Sequence, residues 1–287
     1  MASWRVVERD GVVDTLGEGL LWSPREGAVY WTDILAPALN RLTLATGEVR
    51  RWPMPEMIGW VIERRNAPGL IAGFRSGFAE LTLDPVEITP IRDPEPHLPQ
   101  NRLNDAKADA WGRIWAGTMP VAIDAPSGGL HMLDTDRSVR QVDSGYTVAN
   151  GPAISPDGRW LYHTDTIART IYRFPLSQTG VGVREVFIRF EPGWGNPDGM
   201  TVDSDGGLWV GCWGGACVRR FMPDGAHDRS IALPASQITN VCFAGAALDR
   251  MFVTSAADGL TDEPLGGALF EVEGHGVSGL APGQFGG

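Results

Sequence analysis

The chain is nearly devoid of lysine: Lys107 is the single one among 24 Lys and Arg residues in a sequence of 287. Net charge is −11 with a pI near 4.9, and no stretch clusters Lys and Arg. A phosphate-binding surface is built from such clusters, so the composition argues against a nucleic-acid partner. Cysteine is scarce as well. Cys212, Cys217 and Cys242 are odd in number and lack the paired CxxC spacing of a zinc site or redox motif, which leaves them as small buried apolar residues. No apolar run is long enough to span a membrane, and the opening residues Met1 to Arg9 hold no apolar secretory segment. These absences predict a cytoplasmic protein with no membrane partner. No stretch shows a convincing helical period either, which predicts an all-β chain.

Punctuating residues are plentiful, with 37 Gly and 21 Pro, and so many breaks point to many short strands. Short apolar runs ending in a small residue recur along the chain. They are Val29-Tyr30-Trp31-Thr32, Leu70-Ile71-Ala72-Gly73, Ile114-Trp115-Ala116-Gly117, Leu161-Tyr162-His163-Thr164, Leu208-Trp209-Val210-Gly211 and Met251-Phe252-Val253-Thr254. Their steps are 41, 44, 47, 47 and 43 residues, the period of a β-propeller blade. Further strands follow in each unit, as in Thr170–Phe174 and Glu185–Phe190. Residues 1–273 are therefore expected to form a single six-bladed propeller of four-stranded blades. The strand at Trp4–Glu8 would close the last blade, whose own chain runs out after Ala268–Val272. Residues 274–287 read as a Gly-rich, loosely ordered tail.

A ring of oxygen-bearing side chains emerges from the repeat. Eight residues before the turn glycines Gly112, Gly158 and Gly206 stand Asn104, Asn150 and Asp198, and nine before Gly27 stands Glu18. Each falls just ahead of an inner strand, so around a common axis the four converge at one end of the channel. Carboxylates and carboxamides are hard ligands suited to a divalent cation. By contrast, the Asp-Gly pairs at Asp157, Asp205 and Asp224 fall between strands, where a hairpin turn is needed. Unit six offers Asn240 as a weaker polar candidate, and unit two an apolar wall at Trp60. Arg102, two residues before Asn104, would share its direction on an extended segment, while Asp105 would point the other way as support. His163 is either a supporting or a core histidine; His97, His131, His227 and His275 are structural or exposed. Trp60, Trp194 and Trp213 lie near the predicted mouth, and the remaining Trp residues wedge between blades.

Several segments together resemble the SMP-30/gluconolactonase/LRE (regucalcin-like) family. They are Leu16-Gly17-Glu18-Gly19 with Trp22, Arg102-Leu103-Asn104-Asp105 before Trp115-Ala116-Gly117-Thr118-Met119, Asn150-Gly151-Pro152 with Ser155-Pro156-Asp157-Gly158, His163-Thr164-Asp165-Thr166, and Pro197-Asp198-Gly199-Met200. They occur in order over most of the chain. The resemblance implies a bacterial sugar lactonase: a six-bladed propeller with one divalent cation (Ca, Zn, Mn, Mg or Fe) that hydrolyses an aldonolactone such as glucono-, xylono- or arabinonolactone. By matching motif, Glu18, Asn150 and Asp198 become metal ligands, and Arg102 and Asn104 substrate contacts. Regucalcin-like sequences carry sugar-touching acidic residues after Gly-Thr-Met, where this chain reads Pro120-Val121-Ala122-Ile123-Asp124, so the substrate stays open. Asp198 is the expected general base, with a hydroxide held on the cation as the competing account. Two further readings are a propeller arylesterase or phosphotriesterase and a non-catalytic Ca-binding propeller.

Overall fold

The computed structural model describes residues 2–9 and 11–287. All regular elements among them are β-strands, arranged in six antiparallel sheets as a six-bladed propeller. The inner strands are Gly17–Ser23, Ile58–Glu63, Asn101–Ala108, Ala149–Ile154, Asn196–Val202 and Ile238–Ala244. Each packs against the inner strand of the next blade, and the sixth returns to the first, which closes the ring. Five blades have four strands; the fourth adds a two-residue strand, Gly180–Val181, on its third strand.

Closure follows the sequence expectation. Ser3–Val6 pairs antiparallel with Leu269–Glu273 of blade six, from Ser3 opposite Glu273 to Val6 opposite Phe270. Arg5 adds an ion pair to Glu271 at 2.5 Å, and Arg250 binds the same carboxylate at 2.6 Å. The first and last segments of the chain thus share one sheet.

The repeated apolar runs are the second strands of the blades, and their Trp31, Trp115 and Trp209 are fully buried between sheets. Each indole N–H donates to a buried carboxylate: Trp31 to Asp14, Trp115 to Asp109 and Trp209 to Asp203. The same aspartates hold buried arginines, Arg9, Arg113 and Arg220. Asp109 and Asp203 also accept backbone N–H groups from the turns that follow them, so each satisfies an indole, a guanidinium and a turn at once. The Asp-Gly turns at Gly158, Gly206 and Gly225 close with the backbone bonds expected of hairpins.

The tail differs from the sequence expectation. Residues 274–287 lie across the end of the channel where the inner and second strands are joined by hairpins. The Gly279 N–H bonds the Leu248 carbonyl, the Phe285 N–H bonds the Glu63 carbonyl, and the Gly286 N–H bonds the Gly112 carbonyl. Phe285 is fully buried with Trp60, Ile62, Ala108 and Leu133. One aromatic anchor and scattered backbone bonds order this segment, and neither leaves a periodic pattern in its sequence.

Candidate functional site

Every inner strand is irregular at the same height. The pairing register slips between Glu18 and Leu21, Ile58 and Trp60, Leu103 and Ala106, Asn150 and Ala153, Pro197 and Met200, and Ile238 and Val241. A bulge leaves residues out of the ladder and re-aims their side chains. The residues in or beside these bulges are Glu18, Asn104, Asp105, Asn150, Asp198 and Asn240, the ring read from the repeat with Asp105 and Asn240 added.

Two glycines show why the ligand candidates are followed by Gly. Gly19 has φ +60, and a Cβ there would stand 2.3 Å from the Gly59 carbonyl oxygen of the next blade. At Gly199 a Cβ would lie 2.4 Å from the Asn240 side chain. Neighbouring inner strands close on each other only because these positions carry no side chain.

The ring is buried and tightly bonded. Glu18, Asn104, Asn150 and Asp198 are 3–4% exposed and Asn240 is 0% exposed. Arg102 Nη1 donates to Asn104 Oδ1 at 2.6 Å, and Asn104 Nδ2 donates to Asn150 Oδ1 at 2.9 Å and to the Ala149 carbonyl at 2.7 Å. Asn150 Nδ2 donates to Thr166 Oγ1 at 3.0 Å, which turns its carboxamide oxygen toward Asn104. Asn240 Nδ2 donates to Glu18 Oε2 and to Asp105 Oδ2, both at 3.1 Å. Asp198 Oδ1 is buried without a partner.

Negative charge is concentrated here and Arg102 offsets only part of it. Burial first, then the Asp105 carboxylate, pushes Glu18 up to about 7. Burial, then Glu18 and Asp105, raises Asp198 well above the usual carboxylate range. Asp105 is raised by burial too. Burial pulls Arg102 down to about 10 against the opposing pull of Glu18 and Asp198. Its guanidinium therefore faces the two carboxylates without forming a direct ion pair with either among the described residues.

The donor set tests well against a divalent cation. Glu18, Asp198 and the Asn150 carboxamide present only oxygen, one oxygen has no hydrogen bond, and two buried carboxylates gain from a positive charge between them. Among the described residues no three His, Cys, Asp or Glu side chains gather in a ligand-like cluster; this set has two carboxylates, with Asn150 as its third member.

Asp105 departs from its expected orientation. Strict alternation would send it away from Asn104, yet both fall inside the bulge between Leu103 and Ala106. Its carboxylate reaches across the channel to Asn240 and raises the proton affinity of Glu18 and Asp198. Asn240 stands out more than its sequence context suggested, bridging two acids. His163 is a core residue: it is fully buried, lies edge-on to Tyr146 at 4.6 Å, and has both ring nitrogens unpartnered. Burial lowers it to about 3, so it is neutral. Trp60 is buried over Gly73 and edge-on to Phe78 at 5.8 Å, while Trp194 and Trp213 are half-buried.

Arg102 also lines a pocket of about 230 Å³ between blades two and three, with Asn101, Leu103 and Thr118. In the loop after Met119, Ile123 is 49% exposed and has φ +55, a left-handed conformation that a β-branched side chain rarely takes. An exposed apolar residue thus occupies the loop where acidic residues were expected from the resemblance.

Residues 16–257 match the SMP-30/gluconolactonase/LRE-like region. The chain belongs to this family. It is 36% identical over 262 residues to a 6-deoxy-6-sulfogluconolactonase of Pseudomonas putida, covering 89% of this chain and 90% of that one. A pentonolactonase of Haloferax volcanii is also 36% identical, over 276 residues, covering 91% and 93% of the two chains. A solved structure of a calcium-binding regucalcin from Agrobacterium tumefaciens superposes with a TM-score of 0.92 at 28% identity, covering 99% of this chain and 97% of that one. No helix of this family member is long and apolar enough to cross a membrane among the described residues.

Proposed function

We propose that this family member, a hydrolase of cyclic ester bonds, opens an aldonolactone to its aldonic acid using one divalent cation held by Glu18, Asn150 and Asp198. The observation that carries the reading is the buried Asp198, with one oxygen unpartnered, in a ring with Glu18 and Asn150 that faces Arg102. Relatives named for a sulfonated six-carbon lactone and for pentonolactones support the substrate class, and the calcium-binding regucalcin supports the cation.

When bound, the cation supplies Lewis-acid polarisation of the lactone carbonyl. Asp198 is the group we assign to the proton of the attacking water: its carboxylate has two oxygens, so one would hold the cation while the other takes the proton. Water oxygen bonds to the carbonyl carbon as its proton passes to Asp198. The tetrahedral carbon then expels the ring oxygen, which takes that proton back and leaves the open hydroxy acid. Arg102 and Asn104 are held in one hydrogen-bonded chain with Asn150, so they meet the sugar hydroxyls and oriented carbonyl with little reorganisation. Asp105 and Asn240 position Glu18 from behind.

The test pairs two measurements on Asp198→Asn. Titration calorimetry of chelator-stripped protein is expected to lose the single divalent-metal site of the parent, and acid release from gluconolactone to fall to the spontaneous rate. Near-normal turnover by this variant would overturn the assignment.

A further inference from the structure

The hairpin end of the channel contains a separate cavity of about 470 Å³, within the ~300–1,000 Å³ range of small-molecule sites. It is bordered by the later residues of the inner strands and by hairpins such as Asp109–Trp111 and Ser155–Gly158, with tail residues Leu280–Gly283 along one side. It meets the ring only through Gly19 and Asp105. Leu20, Trp22, Ile62, Val202 and Phe243 give it aliphatic and aromatic walls. Trp111 and Leu280 at its border are 37% and 38% exposed, so apolar surface continues outward to solvent.

Into this apolar space comes the chain's single lysine. Lys107 is half-buried and lines the cavity; its charge is felt by Asp105 and Cys242, yet no carboxylate lies within ion-pair distance of it among the described residues. The three acids of the lining are engaged elsewhere. Asp109 pairs with Arg113 at 2.7 Å, Asp157 accepts from Ser155 at 2.6 Å, and Asp105 accepts from Asn240 at 3.1 Å and from the Ala106 N–H at 2.7 Å. No arginine lines the cavity. An ammonium on a flexible stem, among apolar walls and without an ion pair in contact, is complementary to an acid group on an apolar body.

We propose that this cavity is a second ligand site, for a small organic monoanion whose acid group meets Lys107 and whose apolar body packs between Trp22, Ile62, Phe243 and Leu280. The site is independent of the lactone reading, since it uses the opposite end of the channel.

Octanoate is the probe, titrated calorimetrically into the full chain. One molecule is expected to bind, and octanamide, with the same body and no charge, to bind about tenfold more weakly or worse. Lys107→Met is expected to lose affinity by a similar factor and Lys107→Arg to keep it. Leu280→Glu, at a position 38% exposed, places a repelling charge at the border and weakens octanoate as well, which covers the case in which Lys107→Met fails to fold. No octanoate binding to the parent, undiminished binding by folded Lys107→Met or by Leu280→Glu, or gluconate binding as tightly as octanoate would each overturn the proposal.

Discussion

Replacing Glu18 by Gln should stabilise the metal-free protein while destroying its activity. In the folded chain burial and the Asp105 charge lift Glu18 from 4.5 to about 7. Below pH 4.5 the group is protonated whether the chain is folded or not, and it costs nothing. Between 4.5 and 7 the unfolded chain releases the proton and the folded chain keeps it, so stability falls as pH rises. Above 7 both states are ionised and the full penalty stands, about 3 kcal/mol for this difference in proton affinity. Gln keeps the carbonyl oxygen that accepts from Asn240 and removes the charge. Urea unfolding in chelator at pH 8 should therefore place Glu18→Gln about 3 kcal/mol above the parent, with the gap closing toward pH 4. Saturating divalent cation should reverse the order, because only the parent gains the binding energy. A variant no more stable than the parent at pH 8 in chelator would refute the idea that Glu18 is an incompletely compensated buried charge awaiting a cation.

Other expectations follow from the same contacts. Asp109→Ala leaves the buried Arg113 and the Trp115 indole without their carboxylate and should cost about 3–5 kcal/mol in urea unfolding. Phe285→Ala should cost about 3–5 kcal/mol if the tail is packed as described; an unchanged midpoint would restore the loosely ordered tail. Arg102→Ala should raise KM for the lactone far more than it lowers kcat, and steady-state kinetics that show the reverse split would remove Arg102 from substrate binding. His163, lowered to about 3 by burial, should show no imidazole titration by NMR between pH 5 and 8.

The repeat was legible because the second strands are buried on both faces and bring apolar and small residues to equivalent places in each blade. Equal spacing then located Asn104, Asn150 and Asp198, and Glu18 with one extra residue in its turn, since one backbone position was reused around one axis. The structure adds what spacing does not encode. Asp105 was read as facing away because an extended strand alternates, and a bulge, which is a property of the pairing with Trp115 to Pro120, cancels that alternation. Eight residues after Asn240 stands Leu248, at φ 54, where the other units carry a turn glycine, so Asn240 stood out less, although it bridges Glu18 and Asp105. The glycine open to its side chain, Gly199, sits on the neighbouring inner strand. The tail was misread for a related reason: its order comes from the buried Phe285 and from backbone bonds to blades two, three, five and six, and neither leaves a periodic pattern in the sequence.

The most direct measurement strips the protein with a chelator and follows acid release from glucono-, galactono-, xylono- and arabinonolactone in weak buffer, with one divalent metal restored at a time and spontaneous hydrolysis subtracted. The account predicts no release above background without metal and restored release with at least one metal and one lactone, abolished again in Asp198→Asn. Folded protein that releases acid equally well in chelator, or from no lactone with any metal, would contradict it.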